Sequence, residues 1–281
     1  MKTTDFNNKG FPKMTKIKLE NVSFNYEDRT ATFTAVKNIN ISVHEGEFVS
    51  IIGPSGCGKS TLLSLLAGLN FPSDGCILID GQAIKGTGQD RGVVFQHYSL
   101  FPWMTAKKNI VFGLRQVNKA TGKKVHEKVA DEYLELVGLR EFAEKYPLQL
   151  SGGMQQRVAI ARAFAMNPKM LLMDEAFGAL DAKNRVVLQE LQLKLWDNGS
   201  EKKTVIFVTH DIDEAILLSD RIVVMSSRPD MVVKEVVVNF ARPRDRASLV
   251  RSKNYAKLRN KMVSLFYDDM LQKIGGPEVV L

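Results

Sequence analysis

Five stretches of the chain carry residues whose types and spacing could work on phosphate. Gly53-Pro54-Ser55-Gly56-Cys57-Gly58-Lys59-Ser60 fits the pattern G-x-x-x-x-G-K-[ST] without a mismatch. Residues as small as Gly56 and Gly58 let backbone N–H groups close in and cradle phosphates. Lys59 would then neutralise the β- and γ-phosphates, and Ser60 would set its hydroxyl on Mg²⁺. Gly53, Ser55, Cys57 and the following Thr61 complete the expected contact set. The apolar run Met170-Leu171-Leu172-Met173 ends in Asp174 and Glu175, one carboxylate placed for Mg²⁺ through water and one to polarise an attacking water. Thr204-Val205-Ile206-Phe207-Val208-Thr209 delivers His210 at its exit, where it could hydrogen-bond a γ-phosphate and hold that water in line. Gln96 closes another short strand, and its neutral amide can ligate Mg²⁺ or a water and let go again.

The fifth stretch is Leu150-Ser151-Gly152-Gly153-Met154-Gln155-Gln156-Arg157, a second glycine-rich loop opening a helix. A helix N-terminus of this kind also receives phosphate oxygens. One nucleotide's phosphates are already cradled by the first loop, so the second loop is aimed at a nucleotide held by another copy. The pair implies an ATP-hydrolysing site completed across a dimer.

The elements needed to position these groups can be traced along the chain. Residues 1 to about 14 read as a flexible leader. Strands are expected at Lys16 to Phe24, Thr32 to Val43 and Glu47 to Ile52, the last running into the phosphate loop, with a helix from Thr61 to Gly68. Gly75 to Asp80 followed by Gly81 reads as a hairpin, and Arg91 to Gln96 as a strand. Between about 104 and 166 the period turns helical, with candidates at Lys107 to Leu114, Gly122 to Val137 and Met154 to Met166, a helical insertion into an α/β sheet domain. Strands follow at Met170 to Met173 and Thr204 to Val208 around an amphipathic helix at Asn184 to Trp196. Ile222 to Met225 and Met231 to Val238 form a terminal hairpin, and 241–281 is a tail of a loop and one or two helices around Tyr255 to Ile274. Leu100 to Trp103 is unusually apolar for a connection. Phe101 and Trp103 either pack into their own core or form an exposed patch that docks a partner.

At 281 residues, 44% apolar and 25% charged, the composition is that of a soluble globular protein with ample core. The net charge of +8 is spread along the chain without a long basic run, which reads as a solvated basic surface rather than a nucleic-acid footprint. Cys57 and Cys76 make no disulfide framework, in keeping with a reducing cytosol. Cys57, beside Lys59, is expected to be exposed and reactive towards thiol reagents. The N-terminus lacks the apolar stretch of a signal peptide, and no segment approaches the roughly 20 apolar residues of a membrane span.

With these residues in order, the chain resembles the nucleotide-binding subunit of an ATP-binding cassette (ABC) transporter from about Lys16 to Val238. The resemblance implies the fold: a P-loop NTPase cassette (15–240) of α/β class, with a RecA-like core sheet, an antiparallel β subdomain and the inserted helical subdomain. It identifies Gln96 with the glutamine loop, Leu150 to Arg157 with the signature and Asp174 and Glu175 with the metal ligand and base. Ala179-Leu180-Asp181 matches the loop that touches the opposite subunit, and His210 the switch histidine. Tyr26, with Phe24 as its competitor, stands where the family stacks an aromatic on adenine. Two copies would sandwich two ATP molecules, with Ser151, Gly152, Gly153 and Gln155 of one copy on the nucleotide of the other.

Leu100 to Thr105, Glu175 to Asp181, Val208 to Ala215 and the tail Arg242-Pro243-Arg244 narrow the likeness to the nitrate/sulfonate/taurine importers. That implies separate transmembrane permease subunits, an extracytoplasmic solute-binding protein acting indirectly, and a peripheral place on the cytoplasmic face of the inner (plasma) membrane. No nucleic acid is expected as a partner. A soluble ABC ATPase acting on nucleic acid or the ribosome is the competing reading. Such relatives usually carry two cassettes or a long coiled-coil insertion, and this chain has neither. An exporter subunit is a second competitor, set against the narrower likeness and the lack of a fused span.

Overall fold

A computed structural model describes residues 14–28, 31–96, 99–178, 181–197, 202–226 and 232–274. The expected leader up to residue 13 lies outside it, as do His97, Tyr98, Ala179, Leu180, Met231 and the end of the tail beyond 274.

Two long strands, β1 (Thr15–Glu27) and β2 (Thr32–His44), begin the chain, followed by β3 (Phe48–Ile52) and the helix α1 (Lys59–Ala67). Next come β4 (Asp74–Ile79), β5 (Gln82–Ala83) and β6 (Arg91–Val94). Three helices follow without an intervening strand: α2 (Ala106–Val117), α3 (Lys123–Leu136) and α4 (Gly152–Ala165). The chain then runs through β7 (Met170–Asp174), α5 (Ala182–Asp197), β8 (Thr204–Thr209), α6 (Ile212–Leu218), β9 (Arg221–Met225) and β10 (Val232–Val237) to α7 (Arg246–Arg251) and α8 (Lys253–Ile274). The expected strands and helices fall on these elements, with ends shifted by a few residues. Helix α6 was not foreseen.

A four-stranded antiparallel sheet has the order β2-β1-β4-β5, and a six-stranded sheet the order β10-β9-β3-β8-β7-β6. In the larger sheet β9, β3, β8, β7 and β6 are parallel, so their C-terminal ends share one edge. Its central strands are buried along their whole length. Alternate residues therefore feed two cores, as expected for a sheet covered on both faces. Phe48, Ile52, Leu171, Met173, Val205 and Phe207 face one core with Phe164 of α4 and Trp196 of α5. Val49, Ile51, Leu172, Ile206 and Val208 face the other with Leu62, Leu63, Leu65 and Leu66 of α1. That second core also takes Ile17, Leu19, Val36, Ile39 and Ile77 of the antiparallel sheet, so α1 is clamped between the two sheets.

The insertion has a core of its own, in which Ile110, Ala130, Leu134, Val158 and Ala161 pack α2, α3 and α4 together. The tail does not stand apart: Leu249, Tyr255 and Met262 join the core beside α6. The Asp80-Gly81 turn of the β4–β5 hairpin has positive φ at both residues, the geometry that suits a two-residue connection.

Candidate active site

The parallel edge collects the candidate residues. Strand β3 ends at Ile52 and the phosphate loop begins at Gly53. Gly58 has φ +91°, and a Cβ there would lie 2.5 Å from the Ala35 carbonyl oxygen, so only glycine fits. Gly56, at φ +81°, faces open space, a concavity that a side chain would begin to fill. Lys59 is buried and donates from Nζ to the carbonyls of Gly53 and Pro54, both at 2.8 Å, which holds the loop in its curve. Ser55, Gly56 and Ser60 are exposed and Thr61 half-buried, with the N-terminus of α1 presented to the same concavity.

Cys57 departs from expectation. It is buried at 2% exposure, its Sγ lying 2.6 Å from where a Gly53 side chain would begin, and it packs into the core around α1. The turn that exposes Ser55 and Gly56 directs the next side chain inward, so ready reaction with thiol reagents is no longer expected.

Asp174 ends β7 and Glu175 follows. Asp174 is 8% exposed, and its Oδ1 has no hydrogen-bond partner among the described residues. Burial pushes its carboxyl above the usual range, with Glu175 adding to the rise and the Ser60 hydroxyl and Lys59 opposing it. A buried carboxylate oxygen aimed past a serine hydroxyl is a donor set suited to a hard divalent cation such as Mg²⁺.

Glu175 has φ +42°, in a region glutamate rarely visits, and its N–H donates to the Val208 carbonyl at 2.9 Å. This turn sends its side chain to two neighbours: Gln96 Nε2 donates to Oε2 at 3.2 Å, and His210 Nδ1 lies 3.2 Å from Oε1. Three residues spread over more than a hundred positions meet because β6, β7 and β8 lie side by side.

The two candidate aromatics are placed differently. Tyr26 is 46% exposed, and its hydroxyl is 3.3 Å from Thr61 Oγ1 just past the phosphate loop, whereas Phe24 packs against the core. Ser151 caps α4 by accepting from Met154 N at 3.3 Å, leaving Gly152 and Gly153 as the first turn. Gln155 Nε2 donates to the Leu150 carbonyl at 3.1 Å. Among the described residues the bonds of Ser151 and Gln155 stay in their own segment, so the structure does not bring the signature to its own chain's phosphate loop. Asp181 is exposed and accepts from Asn184 N and Nδ2 at the start of α5, and these bonds hold its carboxyl below the usual range.

The apolar connection divides. Phe101 is half-buried and packs edge-on to Phe112 at 4.7 Å, while Trp103 is 69% exposed. Leu148 is 91% exposed, and the segment just before it is bonded to the start of α2, since Ala106 N and Lys107 N donate to the carbonyls of Lys145 and Ala143. Thr209, Gln189 and Glu214, which sequence reasoning did not single out as functional, form a buried polar cluster next to His210. The one available signal was Asp211 followed by Asp213 and Glu214, an N-cap and acidic first turn.

The ABC transporter family model matches residues 36–178. An uncharacterised ABC transporter ATP-binding protein of Methanocaldococcus jannaschii is 47% identical over 92% of this chain and 94% of its own length. The nitrate import ATP-binding protein NrtD of Synechococcus elongatus is 46% identical over 84% of this chain and 85% of its own. The bicarbonate transport ATP-binding protein CmpD of the same organism is 45% identical over 89% and 90%. Among solved structures, the dimeric ATP-binding cassette MJ0796, in a post-hydrolysis state with ADP and Pi, superposes with a TM-score of 0.73 at 38% identity, covering 80% of this chain and all of that one. With the phosphate loop and the Gln96, Glu175 and His210 cluster at one sheet edge, this chain belongs to the ABC transporter family, as an ATP-hydrolysing subunit that works in transport.

Proposed function

We propose that the chain is the ATPase of an importer for a small anionic solute of the nitrate, sulfonate or taurine kind, dimerising on ATP to drive separate transmembrane permease subunits. An extracytoplasmic solute-binding protein is an indirect partner, and the chain sits peripherally on the cytoplasmic face of the inner membrane. No helix among the described residues is long and apolar enough to cross a membrane, so the translocation path belongs to partners.

The observation that carries the reading is the convergence of Gln96 and His210 on the two oxygens of Glu175, beside the phosphate loop. Glu175 takes the proton of the attacking water, His210 orients that water against the γ-phosphate, and Gln96 reports whether the site is filled. Lys59 and the loop N–H groups bind the phosphates, and Tyr26 supports the adenine. Ser60, Asp174 and Gln96 would hold Mg²⁺, whose charge offsets that of the β- and γ-phosphates. In the dimer the N-terminus of α4 closes over the partner's nucleotide, with Ser151 and Gly153 foremost, and Asp181 meets the partner near it. Trp103 and Leu148, on the connection beside Gln96 and on the insertion, form the apolar surface for the permease.

The test is an affinity pull-down of tagged chain from gently solubilised native membranes. A multi-span protein recovered in equal amount, with its solute-binding protein identifying the anion, is the expected result. Recovery with ribosomes or nucleic acid and no membrane protein would overturn the reading.

A further inference from the structure

We propose that Glu214 is a positioning residue for ATP hydrolysis. Its buried carboxylate ties the backbone that presents His210 to the helix that follows Asp181, and extends that tie to the C-terminal segment. The proposal rests on the reading of His210 as the residue that orients the attacking water.

Glu214 lies in the first turn of α6 at 6% exposure. Its Oε2 accepts from Thr209 Oγ1 at 2.8 Å, and that hydroxyl in turn accepts from Asp211 N at 3.0 Å. The peptide that follows His210 is thus tied to the side chain of the residue before it, and through that hydroxyl to the Glu214 carboxylate. On the other oxygen, Oε1 accepts from Gln189 Nε2 of α5 at 2.8 Å, with Arg185 Nε at 3.7 Å. Arg185 also reaches Asp211 Oδ2 at 3.7 Å, and its own N–H donates to the Asp181 carbonyl at 2.9 Å. From Gln189, which is fully buried, the chain of bonds continues outward: its Oε1 accepts from Nη2 of Arg246 in α7.

A carboxylate accepts at both oxygens, so Glu214 takes the Thr209 hydroxyl proton on one side and the Gln189 amide N–H on the other, whereas an amide in its place would offer an acceptor to only one of the two. A network of this kind in a dry interior is rigid when complete and costly when broken. His210 itself is 64% exposed and owes its placement to this support rather than to packing. Through it, a movement of Asp181 at a dimer contact and the setting of His210 are mechanically one event. The C-terminal segment, outside the cassette, braces the same joint.

The experiment uses the full chain and follows steady-state ATPase kinetics and nucleotide affinity in parallel. Thr209→Val removes the hydroxyl while keeping the shape. It should lower kcat roughly tenfold, the scale of one buried group left without its partner, with ATP affinity unchanged. Thr209→Ser should restore kcat, since it returns the hydroxyl. Glu214→Gln, which deprives either the Gln189 amide or the Thr209 hydroxyl of its acceptor, should act in the same direction should Thr209→Val fold poorly. Arg246→Met should show a smaller fall of the same kind. Unchanged kcat in Thr209→Val and Glu214→Gln beside an inactive His210→Ala would overturn this proposal alone. A fall in ATP affinity matching the fall in kcat, or no recovery in Thr209→Ser, would also overturn it. Near-normal turnover in His210→Ala would instead remove the reading on which it rests.

Discussion

The two ends of the six-stranded sheet both bury charge, and they treat it in opposite ways. At the end where β3 and β9 begin, Arg221 donates to Glu47 at 2.7 Å and 3.0 Å, to Glu235 at 2.5 Å and to the Ser42 carbonyl at 2.5 Å. Beside it Asp220 accepts from Phe48 N at 3.0 Å and from Arg242 Nε at 2.9 Å. Every charge there faces an opposite charge or a matched donor. At the other end, Asp174 has an oxygen with no hydrogen-bond partner among the described residues, and Glu175 sits on a left-handed backbone with an exposed amide and an exposed imidazole for company. Buried polar groups are normally paired, so an end that is not closed on itself is an end prepared for a ligand. One end of the sheet holds the fold, and the other is held open by it.

The largest expected effect lies at the open end and is purely kinetic. Glu175→Gln keeps the size and the contacts to Gln96 and His210 but cannot accept a proton, so turnover should fall about 10²- to 10⁴-fold. Nucleotide affinity and melting temperature should stay near wild type. A melting temperature that fell together with activity would erase the contrast between the two ends.

At the closed end the prediction is the mirror image. Arg221→Met leaves Glu47, itself 5% exposed, as a buried carboxylate without its cation. Breaking such a pair costs about 3–5 kcal/mol, or on the order of 10 °C in melting temperature for a chain of this size. The Glu47→Gln/Arg221→Met double variant should recover part of that loss, because the uncompensated charge is gone. Calorimetry of the three proteins decides it; a double variant no better than the single would point to lost packing rather than lost pairing.

The open end was legible in the sequence and the closed end was not, and the reason is physical. Phosphate binding needs small residues and a lysine at fixed, local spacing, and Gly53 to Ser60 states this within eight positions. The apolar strands Met170 to Met173 and Thr204 to Val208 mark their own exits by the first charged or polar residue. Arg221 and Glu47 are 174 positions apart, and nothing local in either segment announces that β9 will lie against β3. Helix α6 was missed because seven residues are two turns, too few for a period to show, leaving only the Asp211 cap as a signal. The burial of Cys57 depends on how the loop turns over the core, which spacing alone does not convey. The tail's docking is likewise tertiary: Arg244 donates from Nη1 to the carbonyls of Ile216, Leu217 and Ser219, closing the C-terminal end of α6, and Tyr255 donates to Asp213 at 2.6 Å at its start.

The comparison sharpens to two aspartates of similar burial, Asp220 at 11% side-chain exposure and Asp174 at 8%. Asp220→Asn trades a charged acceptor for an amide at a place where both oxygens already receive protons, from Phe48 N and Arg242. One donor must then face another or lose its partner, at a cost of about 1–3 kcal/mol. Thermal unfolding without nucleotide should register this as a loss of several degrees, and Arg242→Met should not add fully to it, since the two substitutions break the same contact.

Asp174→Asn is the smallest change and the most telling. Here the wild-type carboxyl is buried, burial opposes its charged form, and Oδ1 has no hydrogen-bond partner among the described residues. Replacing that charge by a neutral amide of the same shape removes a desolvation cost and breaks few bonds, chiefly the contact with the Ser60 hydroxyl. The nucleotide-free protein should therefore melt at the wild-type temperature or slightly above it, opposite in sign to Asp220→Asn. What it should lose is the added stabilisation that ATP with Mg²⁺ confers over ATP with EDTA, because a ligand stabilises only through a difference in binding between folded and unfolded chain. Melting curves of the two variants under those two conditions settle the matter. Should Asp174→Asn prove as destabilising as Asp220→Asn without nucleotide, and keep its response to Mg²⁺, Asp174 would belong with the pairs that hold the sheet together, and the open end would reduce to Glu175 and its two neighbours.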